Sequence, residues 1–446
     1  MTTATTTLAQ PVQATVRARL PLRAATVWLT LLAALLIISR RPDAIADPQF
    51  FAEDGRTFYQ QAYTLGGWQA LWMPYAGYLL LVPRLVAWVS LLVPLRWAPL
   101  VFTLAAIAIQ MAPVAYWLSD RCSACVPDRR VRVLLAVFWI ALPLSWEITI
   151  RLYNAEWHLN VLAFLVVVAA SPARTWRAAA VDAVLVGLAA FTSPLAALLL
   201  PLGLVRWWRE GRLKPKWDAW QVPLAVLALG VLTEDAVYVL ARRSTRVNAP
   251  IGATPDRLAR IAVNHVVLPD LIGGRLTIVF APVLEARVPL LIAAVVACGV
   301  LPLIAALWRG PLPLRLLILY GLAIATLAMI FPTTDGHTPA GVWLASPVES
   351  ARYFAVLQLA WLIALLWLTV ARGGGASVRR RIGVALLAVT LLVAIPLDWR
   401  TPADPDLHFA TYATRFAHLP PGESIAIPIN PRASNGLDWT LHLTRR

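Results

Sequence analysis

Three stretches of this chain carry side chains able to do chemistry. Between Asp47 and Tyr59 two carboxylates, Glu53 and Asp54, stand side by side, and the aromatic residues Trp68, Trp72, Tyr75 and Tyr78 follow. A second stretch sets Glu147 ahead of Arg151, Tyr153, Asn154, Glu156, Trp157, His158 and Asn160. A third runs from Thr333 through Asp335 and His337 to Glu349, Ser350, Arg352 and Tyr353. A carboxylate can take the proton of a hydroxyl acceptor. A guanidinium near a lipid surface can grip a phosphate with paired donors, and aromatic faces suit the apolar side of a sugar ring. Glu234 and Asp235 add an ionisable pair late in an apolar stretch, a placement that marks functional sites in membranes.

Each of these residues also has a structural use. Asp54 can cap a helix through free backbone N–H groups, Trp and Tyr near span ends form interfacial belts, and Arg352 can anchor a span by snorkelling. His158 alone reads as a hydrogen-bonded packing residue, and Glu234 with Asp235 as the point where a span has already ended at Leu232. Cys122 and Cys125 form a lone C-x-x-C. A structural zinc site needs four ligands and a thioredoxin-like motif needs a βαβ setting, so neither chemistry is expected there. Cys298 sits inside an apolar run.

The elements that must position these residues follow from composition. The chain has 446 residues, 59% hydrophobic and 14% charged, with mean hydropathy +0.69, where a soluble domain carries about 25% charged residues. Apolar runs of roughly 16 to 22 residues match a helix crossing about 30 Å of hydrocarbon, and they lack the strict alternation of a membrane β-barrel. The expected fold is all-α and polytopic. A net charge of +16, with 37 of the 39 basic residues Arg, sits in short segments between apolar runs; this is the positive-inside pattern, and nucleic acid is not an expected partner.

An uncleaved first span over 24–39 is expected despite the Ala-Ile-Ala at 44–46, because Arg40, Arg41 and Pro42 follow it directly. Spans then fall near 97–118, 132–146, 157–171, 178–191, 193–208, 221–240, 289–308, 314–331, 353–371 and 382–397, about eleven in all. Tyr75 to Leu95, interrupted by Pro83, Arg84 and Pro94, is laid along the outer interface as juxtamembrane helices. This makes 120–132, 171–177, 206–218, 309–315 and 372–381 basic inner loops. The dissenting 242–287 loop, with seven Arg, falls outside. Residues 1–23 form a cytoplasmic tail, 24–397 the membrane unit with its first outer loop over 40–96, and 398–446 an extracytoplasmic segment with a turn at Pro420–Glu423 and one short strand.

On these residues the layout resembles the GT-C superfamily of polytopic glycosyltransferases, the group of protein O-mannosyltransferases and aminoarabinose transferases. Asp54 followed by Phe58, Ala62 and Gly66-Gly67 is similar to the acidic motif of the first outer loop in that family. Pro74 to Tyr78 resembles its proline-led juxtamembrane helix, and Glu156 falls where a second acid stands. Phe191 to Pro194 matches a turn between paired spans, and Arg352-Tyr353 resembles the Arg-Tyr that opens a late span facing the lipid donor. The resemblance implies an inverting glycosyltransferase of a bacterial inner membrane, N-terminus cytoplasmic and C-terminus extracytoplasmic. Its donor would be a sugar on a polyprenyl phosphate and its acceptor a glycan, lipid or protein, all met among membrane lipids. Asp54, or Glu53, would be the base. Arg352 would hold the departing phosphate, with Glu156, His158, Asn154, Tyr75, Tyr353 and His337 lining the substrate site. No cofactor is demanded; the carboxylates leave room for a divalent ion, Mg or Mn, without a spacing specific to one. The rival reading, a transporter or flippase for a lipid-linked or amphiphilic solute, calls for charges through the membrane centre, and few are present.

Overall fold

The computed structural model describes residues 22–209, 219–241, 249–287, 289–331, 337–348, 350–370, 376–432 and 439–446. The expectations for Asp335 and Glu349 lie outside the described residues. The chain is a helical membrane protein. Its principal helices are α1 (Leu22–Arg40), α2 (Leu81–Ser90), α3 (Ala98–Leu118), α4 (Arg129–Ile140), α5 (Ala155–Phe164), α6 (Trp176–Ala190), α7 (Leu199–Arg209) and α8 (Gln221–Ala241). They continue with α9 (Pro255–Ala262), α10 (Gly274–Arg287), α11 (Pro289–Arg309), α12 (Leu312–Ile330), α13 (Ala340–Ala345), α14 (Ala355–Thr369), α15 (Ala376–Val389) and α16 (Phe409–Ala417). Six described stretches are long and apolar enough to cross a bilayer: 95–118, 152–169, 221–240, 312–330, 351–369 and 377–398.

The lipid-facing and protein-facing sides separate by residue. On α1 the side chains of Val27, Trp28, Leu31, Leu32 and Leu35 are exposed while Ala33 and Ile37 are buried against α3. With lipid as apolar as the core, close approach has to come from small residues. A Cβ added to Gly230 of α8 would stand 2.4 Å from the Ala190 Cβ of α6, and one on Gly321 of α12 would meet the Leu357 backbone of α14 at 3.0 Å.

Buried arginines tie the helix ends together. Arg40 donates to the carbonyls of Ile140, Leu142, Asp398 and Trp399, satisfying the orphan acceptors that every helix C-terminus leaves. Arg206 does the same for Val167 and Ala170. Arg40, the last residue of α1, is therefore a structural clamp. Arg84 is buried and donates to the carbonyls of Leu79 and Ala70 and to Gln61.

Four local expectations are corrected. Residues 75–78 form a tight turn, not a helix, and only the ten residues of α2 are helical there; at 1.5 Å per residue that is about 15 Å, half a bilayer. Helix α4 stops at Ile140, short of the expected 146. The 242–287 segment, expected as a loop, is helical over Pro255–Ile272 and again in α10, with the turn at Gly273 in the left-handed region. The C-terminal segment holds a two-stranded antiparallel hairpin, β1 (Ser424–Pro428) paired with β2 (Thr440–Thr444), not one strand.

Candidate functional site

The loop that follows α1 is aimed by an unusual stretch of backbone. Ala52 has φ +46°, costly for a residue with a Cβ, and a π-helix follows over Asp54–Tyr59. Such wide turns are often found at functional sites. Neither Glu53 nor Asp54 makes a side-chain cap, so the capping use fails.

Asp54 is 5% exposed. The backbone N–H groups of Leu152 and Tyr153 favour its ionised form, while Oδ1 finds no partner among the described residues. It lines a cavity of about 40 Å³ shared with Arg41, Phe51, Arg151 and Asp404, room for little more than a water or two. Burial, and then the neighbouring Glu53 charge, push its carboxyl well above the usual range, against the pull of Arg151.

Glu53 is half-buried and accepts a hydrogen bond from the Tyr75 hydroxyl at 3.2 Å. Burial raises its carboxyl; the charges of Arg352 and Arg56 and the Tyr75 bond oppose the rise. Tyr75 in turn packs edge-on against Phe58.

Arg352 stands at the head of the α14 span. Its guanidinium is 3.0 Å from Glu147 Oε1, its backbone N–H donates to Glu147 Oε2 at 2.9 Å, and it lies 5.0 Å from the Tyr353 ring. Tyr353 packs at right angles on Trp157. Asn154 braces the same turn: its amide donates to the Glu147 carbonyl at 2.7 Å and its oxygen accepts from Trp157 Nε1.

Glu53, Tyr75, Arg352 and Tyr353 thus come together, with Asp54 behind them and Asn154 supporting. Three expected residues stand apart. His158 is buried, donates from Nε2 to the Ile148 carbonyl at 2.8 Å and packs on Trp139. Glu156 is within electrostatic reach of Glu234 and Tyr320 instead. His337 is exposed, ahead of α13, which packs on α9 and α12. Glu234 lies inside α8, not past its end, is 4% exposed and accepts the Leu79 N–H at 3.1 Å. Cys122 and Cys125 are free thiols.

The sequence reading gave no role to Tyr153, Arg151, Asp404 or Asn430. Arg151 lies 3.5 Å over the Phe51 ring and is bound by both oxygens of Asp404 at 2.7 Å, and Phe51 also stacks on Tyr153. Arg151 and Tyr153 were visible in the second polar stretch; Asp404 and Asn430 had no motif around them. Among the described residues no three His, Cys, Asp or Glu side chains are gathered to hold a metal ion.

No family model matches the sequence, and no curated protein does. Among solved structures, an oligosaccharyltransferase of Archaeoglobus fulgidus, tethered with an acceptor peptide, aligns with 89% of this chain at a TM-score of 0.42 and 12% identity. The chain spans 57% of that structure's length.

Proposed function

We propose that the protein is an inverting glycosyltransferase that moves a sugar from a polyprenyl phosphate to a hydroxyl acceptor at the extracytoplasmic face of a bacterial inner membrane. The observation that carries this reading is the gathering at the head of one span of Glu53, bonded by Tyr75 at 3.2 Å, and Arg352, held by Glu147 at 3.0 Å, with the guanidinium charge reaching the half-buried Glu53 carboxylate. Glu53, not the enclosed Asp54, takes the acceptor's proton, because its flank is the more open of the two. The acceptor oxygen then bonds to the anomeric carbon from the side opposite the phosphate. The bond from that carbon to the phosphate oxygen breaks, its electron pair leaves with the phosphate, and Arg352 holds the new charge while Glu147 steadies Arg352. Fixed charges of this kind gain strength where water is scarce.

The test is a transfer assay with the full chain in lipid nanodiscs, synthetic polyprenyl-phosphate hexoses and pentoses as donors, and cell-envelope membranes as acceptor. Release of polyprenyl phosphate together with a product of inverted anomeric configuration is expected from one donor. Retention of configuration, or no release from any donor, would overturn the proposal.

A further inference from the structure

The first outer loop does not hold its own shape; residues almost a chain length away do. Asp404 accepts both terminal nitrogens of Arg151 at 2.7 Å, and Arg41 donates to the same carboxylate at 2.7 Å. Arg151 covers the Phe51 ring and faces Asp54. A little further on, Asn430 closes a short β-bridge with the loop. Its N–H donates to the Phe50 carbonyl at 3.2 Å, its carbonyl accepts the Ala52 N–H at 2.5 Å, and its side chain donates to the Pro405 carbonyl at 3.0 Å. Gln49 completes the lacing through the Leu407 N–H at 2.9 Å. These bonds converge on Phe50–Ala52, the residues just ahead of Glu53, including the one whose left-handed backbone sets the direction of the π-helix. Strained backbone of this kind persists only where its surroundings over-determine it.

We propose that the C-terminal segment belongs to the transfer site: Asp404, acting through Arg151 and Arg41, and Asn430, acting through Phe50 and Ala52, are positioning residues that fix the aim of Glu53. The inference rests on the glycosyltransferase reading for its catalytic meaning, though not for its structural half. Asp404 touches no reacting atom. Its bidentate grip keeps the Arg151 plane over Phe51, and loss of that grip frees the loop to rotate about Ala52.

The test compares wild type with Asp404→Ala, Asp404→Glu, Arg151→Ala and the double Asp404→Ala/Arg151→Ala variant, all as full chains in nanodiscs. By hydrogen exchange, peptides covering 48–60 should exchange faster in Asp404→Ala, with those of 355–369 unchanged, and Asp404→Glu should recover much of the protection. In the transfer assay kcat should fall about 100-fold, the scale of a misplacement near 1 Å, while KM for the lipid donor stays within about threefold. The double variant should be no worse than the worse single. Wild-type exchange over 48–60, a loss carried only by KM, or losses that multiply in the double variant would each overturn the inference. Should Asp404→Ala not fold, Asp404→Asn keeps the shape and drops the charge, with the same readings. If no donor is turned over by wild type, the glycosyltransferase reading fails, and the exchange data still decide whether the segment positions the loop.

Discussion

Replacing each of the two neighbouring carboxylates by its amide separates their roles. In Glu53→Gln the remaining carbonyl oxygen can still accept the Tyr75 hydroxyl that now sits at 3.2 Å. The change then costs about 1 kcal/mol of stability or less, the difference between a charged and a neutral acceptor at a half-buried site. It cannot accept a proton, and loss of a general base costs about 10²- to 10⁴-fold, equivalent to roughly 3 to 5 kcal/mol of barrier. Asp54 is different: burial already favours its neutral form, which Asn imitates in shape and charge. Asp54→Asn should therefore stay within about tenfold of wild-type transfer, because no proton passes through it. The assay is single-turnover release of polyprenyl phosphate at saturating donor, beside thermal unfolding followed by tryptophan fluorescence. An inactive but folded Asp54→Asn with an active Glu53→Gln would refute the assignment and hand the proton to Asp54.

The Glu53 carboxyl is raised above 4.5, so a base at this position gives a pH–rate profile whose acid limb lies above that value. Tyr75→Phe removes a bond that favours the ionised form, and the limb should move to higher pH; a shift downward contradicts the pairing. Burial alone would raise the Asp404 carboxyl, and Arg151 with Arg41 outweigh it, holding it below 3.8. Its stabilising contribution is complete above the ordinary carboxylate value and disappears as pH falls through the lowered one, so hydrogen exchange over 48–60 should quicken only at strongly acid pH. Arg352→Lys keeps the charge but loses the fork, and KM for the lipid donor should rise about tenfold. A Cβ on Gly67 would lie 1.9 Å from Trp88 Cδ1, so Gly67→Ala should cost about 1 to 3 kcal/mol by overpacking, read as a lower unfolding temperature. In a background without native cysteines, Thr64→Cys should react with an impermeant maleimide from outside intact cells and Arg212→Cys should not; the reverse would overturn the orientation.

The helical, membrane-spanning architecture was legible because a 3.6-residue period is unnecessary when a helix is apolar all round; length alone decides. Glu53, Tyr75, Arg352 and Tyr353 were legible as chemistry-bearing types near span ends. His158 misled because a polar ring in a polar stretch looks the same whether it faces a cavity or, as here, the Ile148 carbonyl. Arg40 was readable as a charge at a span end but not as a clamp, since its carbonyl partners lie 100 and 358 residues away. The turn at 75–78 is announced by Gly77, whose positive φ is shared by Ala76, a signal that the likeness of Pro74 to Tyr78 to a proline-led helix overrode. Asp404 and Asn430 gave no signal because their meaning is wholly in what they meet.

The lacing of the first loop by the last segment also fixes when the protein can begin to work. Gln60 and its donor His442 are separated by 382 residues, which at ribosomal speeds of about 5 to 20 residues per second amounts to roughly 20 to 80 s. For all but the last few residues of that interval Phe50 and Ala52 have been made and Asn430 has not. A nascent or prematurely terminated chain can own every span and both carboxylates and still lack the bonds that aim them. On the glycosyltransferase reading the protein is silent while it is being built, and a proteolytic cut ahead of Asp404 is expected to return it to that silence.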